Sequence, residues 1–312
     1  MNQSPLVSII IPTYNAELCI ERSLGSALRQ TYQHIEIICV DNGSADGTWN
    51  LLQKIKDEHP QIVLLKEEKQ GACWARNKGL KESNGDWIQF LDADDLIKDN
   101  KIEHQMNLVS ENAQTANYFI AGNEYWIKTD GTAVEFHQFS KQPWRDLVEG
   151  TLGDTCSNLW NKKQLQKING WNAELKSSQE LDLMFRLLKN DSKVVYDSAI
   201  LTKVFQQSEG SISKKSPIAN IARANELRLE VKKHLNLTLK TNEYDPVINR
   251  TIFNNLIVAW QTDQQACNEL IEKAKSKGFS LRNVGGMNTM AKWYGVLFGI
   301  KALLSKYPKE EN

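Results

Sequence analysis

The sequence predicts an α/β fold built on a largely parallel sheet. Short β-branched runs recur through the first hundred residues, helical repeats separate them, and polar clusters follow the runs. Residues 7–11 form the first run, ended by Pro12, and read as a buried strand. Ile20, Leu24, Ala27 and Leu28 then fall at i, i+4, i+7 and i+8, one face of a helix. Residues 35–40 give a second strand ending at Asp41, and 48–57 a helix stopped by Pro60. Residues 62–65 and 87–91 give two more strands, with a helix over 71–81 between them. Further on, 118–121, 125–127, 194–196 and 201–205 read as short strands. Leu181, Met184, Phe185 and Leu188 mark a helix, and after Pro217 the pattern is helical through residue 278. In parallel sheets the ligand sits beyond the carboxyl ends of the strands. Polar residues collect at those ends here, at 13–15, 41–44 and 92–95.

The 312 residues carry 38 Lys/Arg and 38 Asp/Glu, which excludes a strongly basic nucleic-acid binder. Neutrality hides an asymmetry. Residues 1–213 hold 22 basic and 29 acidic side chains, net −7, and 214–312 hold 16 and 9, net +7. The length suits two parts, read as 1–215 and a helical region over 216–312. Five scattered cysteines with no CxxC pair argue against a disulfide framework or zinc site and favour a reducing compartment. No basic stretch precedes the apolar run at the N-terminus, as a signal peptide requires, and no apolar stretch reaches membrane-spanning length. Residence in the cytoplasm is the expectation.

Residues 90–95, Phe-Leu-Asp-Ala-Asp-Asp, place Asp92, Asp94 and Asp95 at the end of a buried strand. Three carboxylates that close repel, and a divalent cation relieves the repulsion. All-oxygen ligands suit Mg²⁺ or Mn²⁺, which also bind substrate phosphates. The alternative is a solvated turn with a helix cap. Asp41 opens a loop with two glycines and can accept a hydrogen bond from a base N–H or a ribose hydroxyl; the alternative there is an ordinary loop with Asp46 or Thr48 as cap. GxxxxGK[ST] is absent, and no GxGxxG follows the first strand, which argues against a dinucleotide oxidoreductase.

Four strings in order carry a resemblance: Val7-Ser8-Ile9-Ile10-Ile11-Pro12-Thr13-Tyr14-Asn15; Val40-Asp41-Asn42-Gly43-Ser44-x-Asp46-Gly47-Thr48; Gln70-Gly71 with Ala75-Arg76-Asn77-x-Gly79; and Leu91-Asp92-Ala93-Asp94-Asp95. Together they resemble the opening of the family-2 inverting glycosyltransferases. The likeness is strong over about residues 5–100, fades by about 215 and leaves the last hundred uncovered. It implies a GT-A fold, a nucleotide-sugar donor (UDP-sugar foremost), Mn²⁺ or Mg²⁺, and a glycan or lipid-linked acceptor in surface-polysaccharide synthesis. By position, Thr13 and Tyr14 would line the nucleotide and Asp41 would bind its base or ribose. Arg76 would sit near it, Asp92 would contact the ribose side, and Asp94 would bind the metal, with Asp95 behind it.

An inverting transfer needs a base to take the acceptor's hydroxyl proton. Residues 179–187, Gln-Glu-Leu-Asp-Leu-Met-Phe-Arg-Leu, resemble the family's base helix, and Glu180 falls at the base position. Gln179 replaces the usual first acid, and Glu180 replaces Asp. The competing reading is a capping box, Ser177-x-x-Glu180. Asp182 is a second acid on the same helix. Where many members carry a metal-binding His near Ser-x-Ser, this chain has Ser208. Trp160 and Trp171 are candidates for stacking on an acceptor sugar or for packing. Residues 264–309 carry eight Lys/Arg against two Glu. Trp293, Val296, Leu297, Ile300, Leu303 and Leu304 share one helical arc, which predicts a peripheral membrane contact or a docking helix. Two rivals stand beside the transferase: a non-catalytic nucleotide or glycan binder, and a sugar nucleotidyltransferase, against which the missing Gly-rich N-terminal loop argues.

Overall fold

A computed structural model describes residues 4–115, 117–136, 139–206 and 216–307. They divide into two compact units, 1–143 with 151–208, and 144–150 with 209–312. No sequence signal indicated that 144–150 joins the second unit.

The first unit is an α/β sandwich on a sheet of order β3-β2-β1-β4-β8. Its strands are β1 (Val7–Thr13), β2 (Ile35–Asp41), β3 (Ile62–Lys66), β4 (Trp87–Phe90) and β8 (Trp160–Asn161). The first four are parallel and β8 is antiparallel. Helices α1 (Ile20–Leu28), α2 (Thr48–Glu58) and α3 (Ala72–Glu82) make the crossovers. The central strand β1 explains its own sequence. Val7, Ile9, Ile10 and Ile11 are wholly buried, so both faces of the strand are apolar and no alternation is visible. Each such side chain contributes roughly 1.5–3 kcal/mol by leaving water.

A second sheet runs β5-β9-β6-β7, from β5 (Leu96–Ile97), β6 (Tyr118–Ile127), β7 (Ala133–Phe136) and β9 (Lys193–Phe205). The expected short strands 118–121 and 125–127 are one strand, and so are 194–196 and 201–205. The interruption read in the sequence is a register shift at Ala121, Asn123 and Glu124, where β6 pairs parallel with β9. Helices α4 (Lys101–Glu111), α5 (Pro143–Glu149), α6 (Lys162–Lys167) and α7 (Gln179–Lys189) complete the run to residue 206, and Trp144–Gly150 of this run belongs to the second unit.

The second unit is helical, as expected: α8 (Pro217–Leu237), α9 (Asp245–Thr262), α10 (Gln264–Ser276), α11 (Thr289–Phe298) and α12 (Ile300–Leu304). Leu147 and Val148 of α5 are buried within it, and Arg228 Nε donates to Val148 O at 2.8 Å. The single amphipathic tail helix is corrected here. Gly299, at φ +88°, breaks it into α11 and α12, and Ile300, Leu303 and Leu304 are buried. The side chains of Trp293, Val296 and Leu297 lie outside the described set, as does Ser208. No described helix is long and apolar enough to cross a membrane.

The sheet demands close approach by α3. A Cβ on Gly79 would stand 2.4 Å from Ile10 Cγ2, inside the core strand. Gly79→Ala is expected to lower the unfolding free energy by about 1–3 kcal/mol, measured by urea denaturation.

Candidate active site

The carboxyl ends of β1 and β2 are braided together. Thr13 pairs with Asp41 across the ladder, and its buried hydroxyl donates to Val40 O at 3.2 Å. Tyr14 is half-exposed just beyond. Asn15 sits at φ +47°; its N–H donates to Ser44 Oγ at 3.0 Å, and its Oδ1 accepts from Ala45 N at 2.8 Å. Asn42 Nδ2 donates to Glu67 O (2.9 Å) and Lys69 O (2.7 Å), while its Oδ1 accepts from Gly71 N at 2.6 Å. One side chain thus fastens the loop into α3. Asp41 is 3% exposed. Its Oδ2 takes only a long bond from Ser44 N (3.4 Å), and its Oδ1 has no partner among the described residues. A buried carboxylate oxygen left bare is costly unless a ligand donor meets it.

Arg76 is not in a surface ion pair. It is buried, its Nη2 stands 2.7 Å from Asp92 Oδ1, its guanidinium lies 4.6 Å from the Trp171 ring, and Nη1 reaches Gln179 Oε1 at 3.5 Å. Burial opposes its charge, but Asp92 and then Glu180 hold its pKa above the ordinary value. It joins α3, the end of β4 and the start of α7.

Around it the acids crowd. Asp92, Asp95 and Cys156 bring their donor atoms within 4.8 Å of one another, the one three-residue cluster able to hold a metal among the described residues. Asp94 lies between the two aspartates in sequence, half-buried, and its backbone carbonyl accepts from Arg22 Nη2. Burial, then Asp92, Asp94 and Asp154, push the Asp95 carboxyl well above the usual range, although Phe205 N donates to it at 2.9 Å. Burial, then Asp92, Asp95 and Asp154, push the Cys156 thiol up too, so it is a protonated, weak ligand donating to Asp95 Oδ2 at 3.3 Å.

Glu180 lies in the first turn of α7, half-buried, and its Oε1 accepts from Thr155 Oγ1 at 2.8 Å. The capping-box register is not adopted. The N-cap is Ser178, left-handed at φ +57° with no side-chain cap bond, which puts Glu180 one residue too early for that motif. Asp182 is engaged elsewhere, by Arg186 Nη2 at 2.6 Å. Behind Glu180 lies a carboxyl pair that no motif revealed. Glu124 is wholly buried, with Trp126 Nε1 donating to it at 2.6 Å, and it shares a hydrogen bond with Asp154. Burial raises both; Glu124 raises Asp154 further, while the hydrogen bond from Asp154 pulls Glu124 the other way.

The structure brings Arg76, Asp92 and Glu180 into one neighbourhood, with Asp94 beside it. Thr13, Tyr14 and Asp41 stand at the adjacent strand ends. Trp160 and Trp171 are not sugar platforms: both are buried, Trp160 stacked on Phe119 at 5.2 Å and Trp171 edge-on to Phe90 at 5.3 Å. Sequence reasoning missed Asn42, Glu124, Asp154, Thr155 and Cys156. Only the turn signature Gly-Asp-Thr around 153–155 offered a cue.

A parallel sheet with acids at its carboxyl ends, joined to a second, mixed sheet, defines the GT-A glycosyltransferase fold. The model of glycosyl transferase family 2 matches residues 8–167, half of the chain, and the chain belongs to that family. It is 34% identical over 192 residues to a putative teichuronic acid biosynthesis glycosyltransferase, TuaG, of Bacillus subtilis, covering 60% of this chain and 74% of that one. It is 41% identical over 126 residues to WfaP of Escherichia coli, a UDP-Glc:alpha-D-GlcNAc-diphosphoundecaprenol beta-1,3-glucosyltransferase, covering 40% and 48%. The chain therefore spans half to three quarters of these relatives' length. The crystal structure of S. aureus TarS 1-349 in complex with UDP-GlcNAc matches with a TM-score of 0.59 at 16% identity, over 97% of this chain and 90% of that one.

The raised carboxyls set a pH dependence. A carboxyl whose folded pKa is raised keeps its proton in the folded state over the window above the usual carboxylate range. Stability is therefore greatest below that window and falls as pH rises through it. Asp154→Asn keeps the Oδ1 that accepts from Cys156 N (2.7 Å) and removes one charge. In thermal melts without metal the variant should be more stable than the wild type at about pH 8, and the gap should close towards about pH 5.

Proposed function

We propose that this chain is an inverting glycosyltransferase that moves a sugar from a nucleotide-diphosphate sugar, UDP-sugar foremost, to a hydroxyl of a lipid-linked glycan in surface-polysaccharide synthesis. The observation that carries the reading is the excess of acids at one strand end: beside burial, Asp92, Asp94 and Asp154 lie close enough to Asp95 to push its carboxyl up, although Arg76 is paired to Asp92. Such a place suits a divalent cation with a diphosphate beside it, and the oxygen donors fit Mn²⁺ or Mg²⁺. Asp94 would hold the metal, with Asp92 close by. The metal would supply stabilisation of the negative charge on the departing diphosphate.

The chain's own residues do the rest. The bare Asp41 Oδ1 accepts a base N–H or ribose hydroxyl, and Thr13 and Tyr14 shape that end of the pocket. Arg76 fixes Asp92, which faces the ribose side. Glu180 takes the acceptor's proton as its oxygen attacks the anomeric carbon from the face opposite the diphosphate, so configuration inverts. The donor-handling residues fall within 1–215, leaving 216–312 as a helical region with its own role. The printed activity of WfaP, from a UDP-sugar to a diphosphoundecaprenol acceptor, supports both donor and acceptor class. A lipid-linked acceptor would place the protein at the cytoplasmic membrane face, and the basic surplus of residues 214–312 supports contact with anionic lipid.

Calorimetry with a panel of nucleotide sugars and Mn²⁺ should find a UDP-sugar bound best. Transfer should depend on the metal, fall by about 100-fold or more in Asp94→Ala, and give the inverted anomer by NMR. Binding without any turnover of donor or acceptor would instead mark a non-catalytic binder. For the membrane contact, the exposed Lys301 and Lys306 are the probe. Reversing both to Glu should weaken co-sedimentation with anionic vesicles by about tenfold or more, and unchanged binding removes that part of the reading.

A further inference from the structure

The segment 153–158, Gly-Asp-Thr-Cys-Ser-Asn, has no part in any motif, yet it is among the most tightly fastened stretches of the first unit. Gly153 sits at φ +74°, and a Cβ there would meet Asn158 Oδ1 at 1.9 Å. That same Oδ1 accepts from Gly122 N at 2.9 Å, at the register shift in β6. Asp154 Oδ1 accepts from Cys156 N (2.7 Å) and Ser157 N (3.2 Å), and Ser157 Oγ accepts from Asp154 N at 2.9 Å. Side chains from outside hold the backbone as well: Gln89 Nε2 donates to Cys156 O at 2.8 Å and Gln105 Nε2 to Ser157 O at 3.1 Å.

At the centre of the segment stands Thr155, 2% exposed, with its hydroxyl 2.8 Å from Glu180 Oε1. Among the described residues no donor meets Glu180 Oε2, and the carboxylate is half-buried rather than sealed. The same segment touches the other half of the site, because the Cys156 thiol donates to Asp95 and accepts from Asp92 N at 3.3 Å. The segment thus contacts both the acid cluster and the base.

We propose that Thr155 is a positioning residue for the transfer step: its hydroxyl pins Glu180 Oε1 and leaves Oε2 as the oxygen that takes the acceptor's proton. The inference rests on the reading of Glu180 as base. In the step itself the acceptor O–H bond breaks and its proton goes to Oε2. The acceptor oxygen bonds the anomeric carbon. The bond from that carbon to the diphosphate breaks, and the diphosphate leaves with the electron pair. Glu180 then returns the proton to water. A carboxylate on the side chain of a glutamate, one methylene longer than aspartate, has more rotamers to lose, and a fixed donor removes that freedom before the acceptor arrives.

Thr155→Val keeps the shape and deletes the hydroxyl, while Thr155→Ser keeps the hydroxyl. With the full chain, UDP-sugar and Mn²⁺, Thr155→Val should lower kcat about 10- to 100-fold. The KM and calorimetric Kd for the donor should stay within about twofold, and Thr155→Ser should recover most of the rate. Glu180→Gln, run beside them, should lower transfer about 100-fold or more. Thr155→Val at the wild-type kcat with Glu180→Gln inactive overturns the positioning role and leaves the base. Glu180→Gln at the wild-type rate overturns the base itself. A Thr155→Val loss shared equally between kcat and donor affinity, or not recovered by Ser, shows that the threonine only supports the fold.

Discussion

Negative charge gathered at the carboxyl end of β4 is the constraint around which the first unit is built. Asp92, Asp94 and Asp95 follow the buried strand directly, and Asp154, Glu124 and Glu180 come in from later elements. Like charges this near, in a partly dry setting, repel by several kcal/mol unless protons, donors or cations intervene. The protein uses each device in part. Arg76 is buried against Asp92, backbone N–H groups of Phe205 and Cys156 donate to Asp95 and Asp154, and Glu124 is hydrogen-bonded to Asp154. What is left over is the raised Asp95 carboxyl.

Holding that arrangement together requires rigidity elsewhere. The apolar strand β1 and its neighbours supply the driving force, since Val7, Ile9, Ile10, Ile11 and Ile38 are essentially out of water. Directional fastening comes from buried polar side chains whose partners are backbone atoms of distant segments. Asn42 ties the loop into α3, Gln89 ties β4 to residue 156, and Asn158 ties residue 152 to the shift in β6. Lys101 belongs to this set. It is wholly buried, burial drives its pKa down to about 7, and it donates to Gln89 Oε1 and, at 3.4 Å, to Asn158 O. A site of repelling acids is thus framed by neutral amides and one reluctant ammonium, each of which loses its partner if the frame opens.

This explains which parts were legible in the sequence. Strands β1 to β4 were read almost to the residue, because burial on both faces of a parallel sheet writes itself as an unbroken apolar run. Asp41, Asp92 and Asp94 stood out because they follow the ends of apolar strand runs; Arg76 was picked out by the family resemblance, since nothing in its own helix marks it. The acids and the threonine from 124, 154 and 155 were not, because Thr155 meets Glu180, and Glu124 meets Asp154, from 25 and 30 residues away in the chain and no local period records that. Trp160 and Trp171 misled for the opposite reason. A large aromatic beside a polar turn has the composition of a sugar platform, and only the three-dimensional stack with Phe119 and Phe90 shows it facing inward. In the tail, a helical wheel assumes one continuous helix, and a single glycine at positive φ cancels the assumption.

Arg76 shows why the replacement of an acid by Gln179 is chemically coherent. A second acid at 179 would add charge next to Asp92 and Glu180, and Arg76 would be drawn between three carboxylates. With an amide there, Arg76 Nη1 still finds an acceptor at 3.5 Å, Gln179 Nε2 donates to Leu175 O at 2.8 Å, and the short ion pair to Asp92 is kept. The amide also lets the start of α7 be fixed without a side-chain cap at Ser178, by Gln179 from within the helix and by Thr155 through Glu180. The half-buried Glu180 carboxylate is then held by a contact from outside its own helix. Its orientation is therefore a property of the whole strand-end frame rather than of α7 alone.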